Sequence, residues 1–169
     1  IGHNLFKQIK DSKQLSPKKR EELACFIKQN FQWGIGEVSP MEIDKINIHQ
    51  ATLLAMRKAA QSLSCANSHE LAQESKGRFL IIDGKFILPK FDMEQEAIVD
   101  GDNKIFSIAA ASIVAKVYRD ELMRKMDLKY PQYAFAQHKG YGTLHHRNMI
   151  TEHCMCPIHR RSFCKNIKR

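Results

Sequence analysis

Phe79-Leu80-Ile81-Ile82-Asp83-Gly84 carries four apolar residues straight into an acid and a glycine. A short apolar run of this kind reads as a buried strand that delivers a charge to the edge of a sheet. A carboxylate buried without a partner is costly, so such an acid usually meets a cation. A second acid behind a glycine, Gly101-Asp102, follows the weaker apolar stretch Ala97-Ile98-Val99. Two acids on neighbouring strand ends in a basic chain suggest a divalent metal acting on a polyanion. Asp-Gly is also a common turn pair, so the dipeptide alone leaves a plain strand-ending turn open.

Outward from this stretch the pattern alternates between helices and strands. Ser16-Pro17 opens a helix, with Ser at the cap and Pro in the first turn, and Leu23, Phe26 and Ile27 supply its apolar face. Residues 31–38 alternate well enough for a strand, with Trp33 and Ile35 on its apolar side. Ser39-Pro40-Met41-Glu42 is a capping box that starts a short helix, and a longer one is expected after Asn47 to about residue 63. The polar stretch 65–77 reads as a loop. The strand at 79–83, a loop through Pro89 and a weaker strand at 96–99 follow. Residues 105–130 form the longest helical pattern. Its first half, around Ala109-Ala110-Ala111, is small on all sides and must pack closely on something. Its second half sets Val117, Leu122 and Met126 against Arg119, Asp120, Glu121, Arg124 and Lys125. The loop His138-Lys139-Gly140-Tyr141-Gly142-Thr143 precedes a last helix at 143–153. Interleaved strands and helices point to α/β or α+β, with residues 1–169 as a single domain and no linker or repeat.

Composition bounds the function. The 169 residues are 43% hydrophobic and 27% charged, which is ordinary for a globular domain. No apolar run approaches a bilayer span and nothing resembles a cleavable signal, so the cytoplasm is the default expectation and no membrane partner is expected. Net charge is +9, from 27 Lys and Arg against 18 Asp and Glu, which favours nucleic acid first and an anionic membrane second. The stretch 156–169 holds five Lys/Arg and no acid, although a charged end is often only a solvated tail. Five cysteines without a C-x-x-C pair argue against a disulfide framework. His138, His145, His146, His153, Cys154, Cys156 and His159 gather late in the chain but lack zinc-site spacing, which leaves a zinc-stabilised interaction domain the weakest alternative. Nothing suggests a coiled coil, and a monomer is expected.

Hydrolysis of nucleic acid by acids and metal has a clear physical logic. Carboxylates hold two divalent ions about 4 Å apart, which activate water and stabilise the leaving oxygen. Asp83 and Asp102 suit that role, whereas Asp92, Glu94, Glu96 and Asp100 read as loop charges and Asp120 as a solvent-facing helix charge. In the loop at 138–143 the glycines allow close backbone approach, Lys139 offers charge, and Tyr141 offers a ring and a hydroxyl. A plain turn with Tyr141 in the core remains the alternative on spacing alone.

The motifs together resemble bacterial ribonuclease HII, the type 2 ribonuclease H. The resemblance rests on Asp11-Ser12-Lys13-Gln14-Leu15-Ser16, Gly36-Glu37-Val38, Glu42-Ile43-Asp44, Asn47-Ile48 and Ala51-Thr52. It continues through Ile82-Asp83-Gly84, Gly101-Asp102, residues 109–116, 138–143 and His159-Arg160-Arg161-Ser162-Phe163, almost end to end. It implies a ribonuclease H-like mixed sheet flanked by helices, plus a helical C-terminal part. It also implies endonucleolytic cleavage of RNA in RNA–DNA hybrids and of ribonucleotides embedded in DNA, with Mg²⁺ or Mn²⁺ as cofactor and 5′-phosphate products. The family holds its metals with an adjacent Asp-Glu pair and two further acids, and those two match Asp83 and Asp102. Its junction-reading tyrosine matches Tyr141, while Lys13, Ser112, Lys116 and Arg161 fall in segments that line its nucleic-acid groove. One departure stands out: the family's first strand, with D-E-A-G-R-G, has no counterpart in these 169 residues, which open just before the D-S-K segment. The N-terminal strands and half of the acids are therefore expected to be missing from this chain, which is expected to be inactive alone. The alternative is a basic module that grips hybrids without cutting them.

Overall fold

The structure is a computed structural model that describes residues 5, 7–9, 12–65 and 79–167. The polar stretch read as a loop lies almost wholly outside the described residues, as do Asp11 and the final Lys168 and Arg169. The chain divides into two compact units: the described residues up to Glu37 with Leu53–Val117, and Val38–Thr52 with the described residues from Tyr118 onward.

In the first unit a 3-10 turn, Ser12–Gln14, precedes helix α1, Pro17–Asn30. The Ser16 hydroxyl accepts from the Lys19 N–H at 3.3 Å, the cap that the Ser-Pro pair predicts. Leu23, Ala24 and Ile27 of α1 are buried against Ala109, Ala110, Ile113, Val114 and Val117 of helix α4, Phe106–Lys129. Ala109 and Ala110 of the alanine run thus enter the core, while Ala111 is exposed. Leu23 and Ile113 are wholly buried and form the centre of this core.

Strands β1, Phe79–Asp83, and β2, Glu94–Ile98, pair in parallel with Phe79 opposite Glu94 and Asp83 opposite Ile98. β2 begins two residues earlier than the strand expected at 96–99 and ends one residue earlier. The ten-residue connection is braced by Gln95, whose side-chain amide accepts from Leu88 N–H at 2.8 Å and donates to Leu88 C=O at 3.0 Å. That pair imitates a strand ladder and holds Leu88 in the interior, 1% exposed.

Residues 31–38 do not form the expected strand. They run extended along helix α2, Pro40–Cys65, and among the described residues they have no ladder partner. A Cβ on Gly36 would lie 1.8 Å from the Ala55 carbonyl oxygen, and one on Gly34 2.7 Å from that of Ala59. The segment therefore packs on a helix backbone. Ile35 faces the core as expected, whereas Trp33 is exposed, with the Lys28 ammonium 4.9 Å from its ring centroid. The capping box is realised: Ser39 N–H donates to Glu42 at 3.1 Å and Glu42 N–H donates to Ser39 Oγ at 3.2 Å. Asn47, at φ 66°, interrupts α2 and caps its second half by accepting from Gln50 N–H at 3.1 Å. The break falls where the two predicted helices meet.

In the second unit the later turns of α4 bury Asp120 and Met123; of the predicted stripe Met126 packs against the core of this unit, while Leu122 is half-buried. Asp120 was expected on the solvent face. It instead is buried, three residues after Val117 and three before Met123, both of which are also buried. Two short elements follow, a 3-10 turn at Pro131–Tyr133 and helix α5, Phe135–His138, and then helix α6, Leu144–His153. Tyr133, Phe135 and Ile150 form the core of this unit. No described helix is long and apolar enough to cross a membrane.

Candidate functional site

β1 ends by presenting Asp83 at the sheet edge, where its side chain is exposed. The ladder extends one residue further, with Gly84 N–H donating to Ile98 C=O at 3.0 Å. After β2, Asp100 adopts a left-handed φ of 61° and turns the chain into helix α3, Gly101–Lys104. The Gly101 N–H donates to Asp83 Oδ1 at 2.9 Å. A Cβ on Gly101 would lie 2.6 Å from the Ile108 side-chain tip and 3.3 Å from Asp83 Oδ1, so the absence of a side chain there eases the approach of Asp83. The Asp83 carboxylate thus lies against the backbone adjoining Asp102, and both acids share one edge of the first unit.

Asp102 is buried, 6% exposed, and Lys13 Nζ reaches it from solvent at 3.3 Å from Oδ2. The turn that carries Lys13 is held on both sides. Ser12 and Ser112 share a hydroxyl hydrogen bond at 2.9 Å, and Gln14 donates to Asn103 at 3.1 Å. Four of the sequence-derived candidates (Asp83, Asp102, Lys13 and Ser112) therefore belong to one neighbourhood, with Lys116 one turn beyond Ser112 and half-buried. The donor set suits a hard cation, since both acids offer only carboxylate oxygens and one of them already attracts an ammonium. Among the described residues no three His, Cys, Asp or Glu side chains group closely enough to hold a metal ion. Asp83 and Asp102 are thus an incomplete cage by themselves.

The second unit holds the other candidates. Tyr141 is 60% exposed, which removes the alternative that it sits in the core. Its loop is rigidly built. Lys139 and Gly140 both have positive φ, 52° and 80°, and Tyr141 N–H returns to His138 C=O at 2.9 Å. Lys139 Nζ bends back onto the Ala136 carbonyl, while Arg119 donates to Lys139 C=O at 3.1 Å. Arg119 is therefore a loop-positioning residue that amphipathic patterning had placed only on a polar face.

Arg161 is exposed and opens a 3-10 turn, Arg161–Phe163, whose N–H groups are capped by Asp44. Asp44 accepts from Arg161 N–H at 2.8 Å and Ser162 N–H at 3.0 Å, and also from the Ser162 hydroxyl. These donors, the Ser162 hydroxyl first, hold the Asp44 carboxyl below the usual carboxylate range. Asp44 entered the sequence reading only within the Glu42-Ile43-Asp44 motif, and its role as a cap was not legible there, because the two segments are more than a hundred residues apart.

The late histidines divide. His138, His146 and His159 are buried, whereas His145, His153 and Cys154 are exposed. The ring nitrogens of the buried three are committed to backbone groups and to each other.

The chain matches the family model described as Ribonuclease HII over residues 5–166. It is 43% identical to the Ribonuclease HII of Chlorobaculum tepidum over 160 residues, which are 94% of this chain and 73% of that protein. It is 46% identical to the Ribonuclease HII of Clostridioides difficile over 160 residues, 94% of this chain and 58% of that protein. Among solved structures it resembles the ribonuclease H2 from Pyrococcus horikoshii OT3, with a TM-score of 0.70 and 22% identity. That match covers 98% of this chain and 82% of the other, and it establishes an α/β fold of the same type.

Proposed function

The chain belongs to the ribonuclease HII family, and on that premise we propose that Asp83 and Asp102 supply two of the carboxylates of an RNA-cutting endonuclease. Its substrates are RNA–DNA hybrids and DNA with embedded ribonucleotides. The contact that supports this most directly is the Gly101 N–H to Asp83 hydrogen bond, which sets both acids on adjoining backbone. Asp83 and Asp102 hold Mg²⁺ or Mn²⁺, which when bound activates water and offsets negative charge at the scissile phosphate. Lys13 screens the Asp102 charge and is exposed enough to exchange that partner for a phosphate. Hydrolysis breaks the bond between phosphorus and the 3′ oxygen, so the phosphate stays on the 5′ end of the released strand.

Tyr141 reads the ribonucleotide junction, its ring stacking on the sugar and its hydroxyl facing the 2′-OH. Lys116, Lys139 and Arg161 neutralise phosphates, and Ser112 adds a hydroxyl contact to the backbone. The chain's charge of +9 provides the long-range attraction for such a duplex. For Tyr141→Ala we expect the preference for a ribonucleotide over all-DNA duplex to drop by the equivalent of about 1–3 kcal/mol, the usual value of one stacked ring. Competition binding with both duplexes reads this directly, and an unchanged preference would remove Tyr141 from recognition.

Residues 1–169 contain no D-E-x-G-R-G segment, so they carry half of the four-acid set. The test compares two polypeptides on a duplex with one embedded ribonucleotide in Mg²⁺. These are the 169-residue chain and a longer form with a D-E-x-G-R-G strand ahead of Ile1. The longer form should cut at the ribonucleotide while the 169 residues bind without cutting. Specific cutting by the 169 residues alone would refute the divided cage, and binding without cutting by both would favour a non-catalytic hybrid-binding module.

A further inference from the structure

Three buried histidines surround the Tyr141 loop, and their hydrogen bonds fix where every ring proton lies. Cys156 N–H donates to His159 Nδ1 at 3.0 Å, so that nitrogen carries a lone pair and the proton sits on Nε2. His159 Nε2 faces His146 Nε2 at 3.2 Å, so His146 accepts there and holds its own proton on Nδ1. His146 Nδ1 in turn lies 2.9 Å from the Tyr141 carbonyl oxygen, to which it donates. A parallel link runs through His138: Gly140 N–H donates to its Nδ1 at 3.1 Å, and its Nε2 donates to Tyr133 C=O at 2.7 Å. The His138 and His146 rings stack with centroids 4.0 Å apart.

We propose that His159 and His146 form a neutral, proton-ordered relay that ties the Tyr141 backbone to the Cys156 turn, so that acid releases the loop presenting Tyr141. A second proton on His159 would set Nδ1–H against Cys156 N–H. One on His146 would set Nε2–H against His159 Nε2–H. Either breaks a link, because two donors face each other across about 3 Å.

The surroundings offer only one alternative acceptor to a proton added on His159 Nδ1, the weak one of Cys156 Sγ. Tyr133, its ring 4.9 Å from that of His159, is a neutral phenol whose hydroxyl donates to Cys154 C=O at 2.8 Å. Cys156 Sγ is 3.1 Å from His159 Nδ1, and burial pushes that thiol up, which keeps it uncharged. Phe135 packs against both rings. His138 and, beyond it, His145 are the other titratable rings, Arg119 holds Lys139 and Arg160 adjoins His159. Among the described residues no carboxylate accepts from either relay ring. Burial holds His146 and His159 below the ordinary histidine range, with the neighbouring histidines adding to the effect. The sign follows from this: the relay is fully formed above about pH 6.5, where free histidine is neutral, and is lost as the pH falls through the lowered values of the two rings.

Part of this inference, the use made of Tyr141, rests on its proposed role at the junction. The relay itself does not, and the experiment separates the two. In the uniformly ¹⁵N-labelled 169-residue chain, two-bond ¹H–¹⁵N correlations at about pH 7.5 should show His159 and His138 protonated on Nε2 and His146 on Nδ1. On acidification the Tyr141 amide signal should shift with the same midpoint as His146, and in His146→Asn that shift should disappear. Asn keeps an N–H near the Tyr141 carbonyl but neither titrates nor reaches His159. An Nε2-protonated His146, or a Tyr141 signal indifferent to its titration, would overturn the relay. If wild-type selectivity for a ribonucleotide duplex falls over the same pH range, the relay governs recognition, and selectivity flat across that range overturns this coupling. Unaltered selectivity in Tyr141→Ala, by contrast, would sink only the role of Tyr141.

Discussion

Asp83→Asn, placed in a form of the protein that cuts, should lower the rate at an embedded ribonucleotide by about a thousandfold, roughly 4 kcal/mol of transition-state stabilisation. Asn is isosteric and its amide oxygen can still accept the Gly101 N–H, so the sheet edge keeps its shape. What is lost is a full negative charge from a site whose work is to hold cations. Binding of the hybrid should therefore change little, because affinity for the duplex comes from basic residues distributed elsewhere. Single-turnover cleavage together with equilibrium binding distinguishes this loss of chemistry from loss of fold. Turnover equal to wild type would take Asp83 out of the site.

Gly36→Ala should destabilise the chain by about 3 kcal/mol or more, at the upper end of overpacking costs. The new methyl would lie 1.8 Å from the Ala55 carbonyl oxygen and 2.7 Å from the Ala59 nitrogen. Both neighbours are helix backbone, so neither can rotate away as a side-chain tip would. Denaturant unfolding followed by far-ultraviolet circular dichroism measures the effect. A change within 0.5 kcal/mol, the ordinary range for a surface substitution, would mean that residues 34–36 do not press on α2.

The same segment marks the limit of what patterning reveals. An extended run with alternating apolar residues has the same signature whether it lies beside a strand or along a helix. Only Gly34 and Gly36, two residues apart, hinted at backbone pressed against backbone. By contrast, the 79–84 stretch was legible as a strand because its apolar run, its acid and its glycine all agree, although only Ile82 of that run is buried and Phe79 is exposed. The alanine-rich start of α4 was legible in that Ala109 and Ala110 enter the core. Asp120 misled because a charged residue votes for solvent in any amphipathic count, yet it is buried, as are Val117 and Met123.

The candidate site was legible in unequal parts. Asp83 and Asp102 were both read as strand-end acids, which holds for Asp83, whereas Asp102 stands in helix α3 beyond the end of β2; Lys13 and Ser112 entered through the family resemblance. What joins these four is a set of hydrogen bonds spanning 18 to 100 positions, which no local pattern encodes. The histidines were visible as composition, but spacing templates ask only about metal. Their ordering depends on which ring nitrogen meets which backbone group, and that is set by the turn at Cys156 and the loop at Tyr141.

Mn²⁺ binding to the 169-residue chain, followed by the electron paramagnetic resonance signal of the free ion, probes the paired acids without reference to cleavage. Asp83→Asn and Asp102→Asn should each weaken binding, and the double variant should abolish the site. Equal Mn²⁺ affinity in wild type and both single variants would contradict the assignment of these two carboxylates to the metal.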